Sequence, residues 1–500
     1  MKLTSSFASL IVCAVTLASA HDAHLEARRT SSLLISPPGL PKLPTASAAT
    51  AAAATVGLNL TDIQGDIVTG MTKNRETFLF FGIADAPSFK SKLRSGVLPL
   101  ITTAMQMTKN STQPNTLVNV AFSHTGLGAL NVSDTLGDGA FTGGQLADAG
   151  NLGDPGTGHW VSQFVGTSIH GVFLLASDTD ANVASTVNTV TTALGDSITQ
   201  IYTLQAAARP GAEQGHEHFG FLDGISNPAI QGFDDSPLPG QASVPPGEII
   251  VGETGDPFIS QRPPWAIGGS FLAFRQLEQL VPEFNKFLTD NPIRAPGFTD
   301  QQGSDLLGAR MVGRWKSGAP VFLSPLADDP ALGADPTRNN NFTYALNGSS
   351  TSSSTDQSRC PFSAHIRKTR PRADLGLPEN TGRHILRGGI PYGPEVSDSE
   401  AASNTTSTER GLAFVSYQSS IGNGFQFLQR FWADNTGFVE QNTGFDPIIG
   451  ANKGANRTVG GLDPTDPSRT ITLITDFVVS RGGEYFFSPS LSALANTFTV

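Results

Sequence analysis

The chain has 500 residues, 15% of them charged, and a formal net charge of −11. This length supports one large or two medium domains around a sizeable core. The acidic balance argues against nucleic acid or an anionic membrane as a partner, and the two cysteines, of which only Cys360 lies outside the first 20 residues, exclude a disulfide within a chain that has lost that segment.

In chain order, Met1-Lys2, the apolar run Leu10–Leu17 and the small residues Ala18-Ser19-Ala20 read as a signal peptide over residues 1–20. The run is too short to span a bilayer, so a secreted, extracellular protein is expected. Residues 21–56 contain Arg28-Arg29 and then a Pro- and Ala-rich stretch, which reads as a propeptide or disordered leader. Residues 57–235 form the first expected domain. Strands are predicted at Thr77–Ile83, Leu117–Phe122, His170–Ser177 and Thr199–Gln205, with helices at Ala86–Leu98 and Ala181–Leu194.

A Pro/Gly-rich stretch, Gly232–Gly247, separates this from a second domain over residues 236–500. There, strands are expected at Ser270–Arg275 and Gly411–Gln418, and helices at Leu277–Leu288, Asp305–Trp315 and Gly422–Trp432. Strand and helix alternate without a GxGxxG fingerprint, so α+β units with antiparallel sheets are favoured over a dinucleotide fold. Asn347–Ser358 is a low-complexity loop. Seven Asn-x-Ser/Thr sequons, at Asn59, Asn110, Asn131, Asn341, Asn347, Asn404 and Asn456, mark surface loops. Cys360, before Pro361-Phe362, is expected to be buried.

Three segments combine histidine with other reactive residue types. In His216–Ser226 (HEHFGFLDGIS), Asp223 lies before Gly224 in a loop that can approach a ligand closely, as a general acid/base must. Asp-Gly is also a common turn. His216 and His218 have strand spacing for a metal, but a third ligand at readable spacing is missing. In Cys360–Arg372 (CPFSAHIRKTRPR), His365 is either a core histidine beside a solvated basic face or an axial iron ligand with arginines for haem propionates. In Arg383–Gly393 (RHILRGGIPYG), Arg387 precedes paired glycines and is held at a tight turn or in a surface salt bridge.

Taken together, and with Ile63–Ile67, Met311–Trp315, Gly424–Gln429, Phe445–Gly450 and Arg481–Phe487, these segments resemble the secreted fungal branch of the dye-decolorising peroxidases. The resemblance covers Leu58 to Leu494. It implies two ferredoxin-like α+β domains with one haem b in the C-terminal domain. His365 would be the proximal iron ligand, Asp446 the carboxylate behind it, and Asp223 and Arg387 the distal catalytic pair. Arg372 and His384 would be propionate partners, and Tyr392 and Trp432 surface electron-transfer residues. Hydrogen peroxide and dye or phenolic aromatic substrates are the implied partners, with no nucleic acid and no membrane. One departure is Gly388, where the family often carries a second arginine; its absence is expected to affect haem-edge access or propionate pairing. A haem-handling protein with incidental peroxidase activity is the competing reading, but haem carriage needs no proton shuttle such as the Asp223/Arg387 pair.

Overall fold

The computed structural model describes residues 33–109, 113–133, 135–346, 356–376 and 382–500. The expected signal peptide, the Arg28-Arg29 processing site, sequons Asn110 and Asn347, and most of the Asn347–Ser358 loop lie outside the described residues. The other five sequon asparagines are exposed, and Cys360 is fully buried.

Residues 33–56, expected to belong to the leader, pack into the fold. Leu33, Ile35 and Leu40 are buried, and Ile35 N–H donates to the Thr72 carbonyl at 2.6 Å. Helix α1 (Ala46–Val56) follows, capped by Thr45 Oγ1, which accepts from Ala48 N–H at 3.2 Å, and closed by Gly57 at φ 79°. Alanine is the strongest helix former, and its small side chain lets Ala49, Ala52 and Ala53 sit buried against the fold. Composition suggested disorder here; packing makes it structure.

The first half follows a β-α-β-β-α-β order: β1 (Arg75–Ile83), α2 (Ala86–Lys92), β2 (Thr116–Phe122), β3 (Gly171–Ser177), α3 (Asp180–Leu194) and β4 (Ile198–Ala207). The strands pair antiparallel as β2-β3-β1-β4, the ferredoxin-like arrangement. In the second half come β5 (Ser270–Gln279), α4 (Val281–Asp290), α5 (Asp300–Val312), α6 (His365–Thr369), the short β6 (Leu386–Arg387) and β7 (Ile390–Tyr392), β8 (Gly411–Gln418) and β9 (Val478–Ser488). Here β5 lies between β9 and β8, with β6 and β7 on the far side of β8.

The two sheets are not separate. β9 meets β2 through Phe487–Phe122, β4 meets β7 through Ala206–Tyr392, and β8 pairs with β5, so the strands close into a ring. Closure explains why β1 is apolar at consecutive positions: Phe78 and Phe80 join one core and Leu79 and Phe81 another. The first core draws Phe274, Tyr417 and Phe486 from the second half, with Phe80 and Phe274 centroids 4.9 Å apart. The second core packs under α2 and α3 through Phe89, Val183 and Leu194.

Three helix expectations shift. The segment from Leu277 does not begin a helix, because Gln276–Gln279 stay in the β5 ladder; α4 starts at Val281 with Pro282 in its first turn. The helix expected at Asp305 starts at Asp300 through a Thr299/Gln302 capping box and stops at Gly313, φ 94°. The segment expected to be helical over Gly422–Trp432 is a single turn, Phe425–Phe427, followed by a π-helical turn, Leu428–Ala433.

Candidate active site

The site is a cavity lined mainly by residues between Glu217 and Ser480, to which Leu152 and Asp154, from between β2 and β3, also contribute. Asp223, His365, Arg372, His384 and Arg387 all lie on its wall.

Asp223 is positioned by its own loop. Its N–H donates to the Gly215 carbonyl at 3.0 Å, and His216 bridges to Leu222. Gly224, at φ 93°, turns its N–H back onto Asp223 Oδ1 at 2.7 Å, in the left-handed region that favours glycine. Arg387 comes from β6, hydrogen-bonded to β8. Its Nη1 donates to Asp223 Oδ1 at 2.5 Å. Asn227 locks the two segments together: its Nδ2 donates to the Arg387 carbonyl at 2.9 Å, and its Oδ1 accepts from Arg387 N–H at 3.2 Å. Sequence reasoning missed Asn227, and no periodicity could have marked it.

His365 opens α6. Its Nδ1 is 2.9 Å from Asp446 Oδ2, which leaves Nε2 free of that contact. Asp446 is fully buried, and its Oδ1 accepts from the N–H groups of Ile448 and Ile449 at 2.8 and 3.0 Å. Two amides thus fix one oxygen and leave the other for the imidazole.

The charges of the two pairs sustain each other. Burial alone would push Asp223 up, but the Arg387 charge and hydrogen bond, with the Gly224 amide, hold its carboxyl below the ordinary value. Burial would likewise lower His365, and the Asp446 charge and hydrogen bond more than reverse it. Asp446 itself is depressed: burial opposes ionisation, while the His365 contact and the two amides prevail.

Several expected roles change. In the basic run after His365, Arg367 and Lys368 are buried rather than solvated, while Arg370 and Arg372 line the cavity. Arg367 is buried in a two-pronged contact with Asp374 (2.7 and 2.8 Å), and Lys368 donates to the carbonyls of Asn435 and Gly444 (2.8 and 2.6 Å). Arg372 reaches the cavity wall, but its guanidinium already donates to the carbonyls of Asn340 and Phe342 and stacks on the Phe342 ring at 4.1 Å. A propionate would have to compete with those bonds. Gly388 does not face the cavity: a Cβ there would touch Val415, Tyr417 and Asp66 instead. The missing second arginine therefore bears on the barrel interior rather than on haem-edge access. His218, half of the weighed His-x-His pair, places Nε2 at 2.9 Å from the Tyr392 carbonyl.

Tyr392 and Trp432, expected at the surface, are each only 5% exposed. The Tyr392 hydroxyl donates to Glu409 Oε1 at 2.8 Å. Trp432 stacks on Phe438 with centroids 5.0 Å apart and rings 6° from parallel. Tyr392 ends β7 between β4 and β8, and Trp432 lies in the π-helical turn Leu428–Ala433.

The residues fit a haem. The cavity is mostly apolar, a carboxylate-backed histidine stands in its wall, and His384 adds an unanswered polar atom. His384 Nδ1 is 2.6 Å from Glu248 Oε2, while its buried Nε2 has no partner among the described residues. A buried polar nitrogen without a partner is costly, and a haem propionate would satisfy it.

Comparison with known proteins gives the same picture over nearly the whole length. Residues 62–210 match the DyP dimeric alpha+beta barrel domain, and residues 216–451 match the Dyp-type peroxidase C-terminal domain. Peroxidase 2 of Mycetinis scorodonius is 60% identical over 491 residues, covering 95% of this chain and 94% of that protein. A dye-decolorizing peroxidase of Mycena epipterygia is 54% identical, covering 94% of this chain and 92% of that protein. A crystal structure of the Auricularia auricula-judae decolorizing peroxidase superposes with a TM-score of 0.84 at 54% identity, covering 89% of this chain and all of that one. With both halves matched and the fold shared with relatives above half identity, this chain belongs to the dye-decolorising peroxidases, a family of haem enzymes that take hydrogen peroxide as oxidant.

Proposed function

We propose that the cavity holds haem b through His365 as the proximal ligand, with Asp446 as its hydrogen-bond acceptor and His384 toward a propionate. Asp223 and Arg387 are the distal catalytic pair. One observation carries this reading: the His365–Asp446 and Arg387–Asp223 pairs stand in the wall of one cavity. When bound, the haem supplies the redox chemistry, accepting two oxidising equivalents from peroxide and releasing them one electron at a time.

The protein's own part is to orient groups and move protons. Asp446 keeps the proton on His365 Nδ1, so Nε2 is free of a proton for coordination. Asp223, kept ionised by Arg387, accepts a proton from one peroxide oxygen and returns it to the other, so that water can leave. The fixed charge of Arg387 favours the negative charge that builds on the departing oxygen.

The substrates are dyes and phenolic aromatics. Bulky molecules are too large for a buried site, so Tyr392 and Trp432 carry oxidising equivalents outward. Their burial means that a dye docks over a neighbour rather than on them; Phe431, 48% exposed and linked to Trp432 through Phe427, is such a neighbour. The protein is secreted and acts without nucleic acid or membrane, a reading supported by the first 20 residues, the net charge of −11 and the five exposed sequon asparagines. Among the described residues, no helix is long and apolar enough to cross a membrane.

The test is an absorption spectrum of the purified protein before and after one equivalent of peroxide. A haem Soret band that changes on peroxide addition is expected in the native chain. In Asp223→Asn the band is expected with a greatly slowed change. An unchanged rate in that variant overturns the distal assignment. Amino-terminal sequencing of the protein from culture medium tests secretion.

A further inference from the structure

Tyr392 and Glu409 meet because β7 and β8 run antiparallel, with Gly411 opposite Tyr392, which brings Glu409, two residues before β8, alongside the phenol. We propose that Glu409 is the proton acceptor for Tyr392 when the tyrosine gives up an electron, making the pair rather than the phenol alone the relay. This rests on the reading of Tyr392 as a relay residue.

A phenol that loses an electron becomes a strong acid and must release its proton at once or return the electron. Tyr392 is 5% exposed, so bulk water is not at hand to take that proton. Its hydroxyl already points at a base, donating to Glu409 Oε1 at 2.8 Å. The Glu409 side chain is 33% exposed, so a proton received inside can be exchanged with solvent. The carboxylate is held in place from two other sides: Gln276 Nε2 donates to Oε1 at 2.7 Å, and Arg481 Nη2 lies 3.2 Å from Oε2.

Other groups around this pair are accounted for. Tyr202 donates to Gln276 Oε1 at 2.9 Å, Glu278 lies 3.8 Å from Arg481, and His218 Nε2 faces the Tyr392 backbone carbonyl. Gln276 also meets the phenol, but an amide is no base, and Glu278 acts on it only as a nearby charge. Burial and the Glu409 charge also raise Tyr392 above the ordinary tyrosine value, so at rest the phenol keeps its proton and yields it only on oxidation.

The step balances. Tyr392 gives one electron to the peroxide-oxidised enzyme and one proton to Glu409 Oε1, leaving a neutral tyrosyl radical and a protonated carboxyl. A substrate electron then reduces the radical while the proton returns along the same bond.

The experiment compares Tyr392→Phe, Glu409→Gln and Glu409→Asp holoenzymes after stoichiometric peroxide, reading tyrosyl radical by electron paramagnetic resonance beside dye turnover. Glutamine keeps the shape and an acceptor oxygen but is no base. Positioned bases contribute about 10²–10⁴-fold, so Glu409→Gln should form the radical at least about tenfold more slowly, with the first peroxide reaction unchanged. Aspartate should restore part of that loss. In the haem-free protein, Glu409→Gln should also lower the pH at which Tyr392 ionises, because a neighbouring negative charge is gone. If Tyr392→Phe removes the radical while Glu409→Gln forms it at the wild-type rate, or if aspartate and glutamine behave alike, Glu409 is not the acceptor and the relay stands without it. If Tyr392→Phe itself leaves radical and turnover unchanged, the relay reading fails and Glu409 falls with it.

Discussion

Asp223 must remain a carboxylate in a cavity that disfavours charge, and Arg387 is what keeps it so. Because its carboxyl is held below the ordinary value of about 3.9, proton acceptance should persist into acid and fail only as the pH falls through that lowered value. In Arg387→Leu the largest opposition to burial is gone, and only weaker contacts such as the Gly224 amide remain. The acid limb of the peroxide reaction should then move up by about one unit or more, as read by stopped-flow rates across the acidic range. Asp223→Asn should lose about 10²–10⁴-fold at every pH and show no such limb. On the other side, His365→Ala should lose the native Soret band. Asp446→Asn should keep a haem of altered ligation, held roughly 10–100-fold less tightly, as measured by haem titration. Asp223, His365 and Arg387 were legible because each lies in a short run of unusual wording. Their partners were less so: Asp446 is 81 positions from His365, and Asn227 bridges two segments through an ordinary amide. The burial of Tyr392 depends on a neighbouring strand that local sequence does not name.

Among the elements, those with clean periodicity were readable. β1, β2, β3, α3 and β8 all lie within a residue or two of expectation. β9 was quoted as a motif and not read as a strand, because Gly482-Gly483 interrupts its alternation with a bulge between Ser480 and Gly483. That glycine pair is structural: a Cβ on Gly483 would lie 2.0 Å from the Phe274 carbonyl oxygen. α1 and the strand-like residues before it were dismissed on composition alone, yet Leu33, Ile35, Leu40 and Ala49 are buried. Fully burying a large apolar side chain is worth about 1.5–3 kcal/mol. A chain beginning at residue 33 should therefore match the full mature protein in guanidinium unfolding. One beginning at residue 57 should lose several kcal/mol, and Leu40→Ala alone about 2–4 kcal/mol. Equal midpoints for all of them would show the strap to be dispensable.

At the scale of the whole molecule, the closed ring encloses one ionic cluster from both halves. Lys73 Nζ contacts Asp66 Oδ1 at 2.9 Å and Glu76 Oε1 at 2.7 Å, and the Tyr417 hydroxyl of β8 donates to Asp66 Oδ2. Two carboxyls share one ammonium where water does not reach, and they are not equally served. Asp66 accepts from Lys73 and Tyr417, whereas Glu76 Oε2 has no partner among the described residues. Burial, partly offset by Lys73 and reinforced by Asp66, pushes the Glu76 carboxyl up to about 8. A carboxyl raised in the folded state binds a proton that the unfolded chain has already released. Its contribution to stability is therefore fully present below the ordinary glutamate value of about 4.3 and fades as the pH rises toward 8. Melting temperature should accordingly be higher at pH 5 than at pH 8. Repulsion within an acidic protein would give the same trend, so Glu76→Gln separates the causes. Its amide mimics the protonated carboxyl, still offers Lys73 an acceptor, and changes the net charge by only one. The variant should melt close to the wild type at pH 5 and above it at pH 8, flattening the profile by scanning calorimetry. Lys73→Met should instead destabilise the fold by about 3–5 kcal/mol, because it leaves Asp66 charged and without its cation inside the barrel. A Glu76→Gln profile parallel to that of the wild type would mean that Glu76 stays ionised in the core and that surface charge sets the trend.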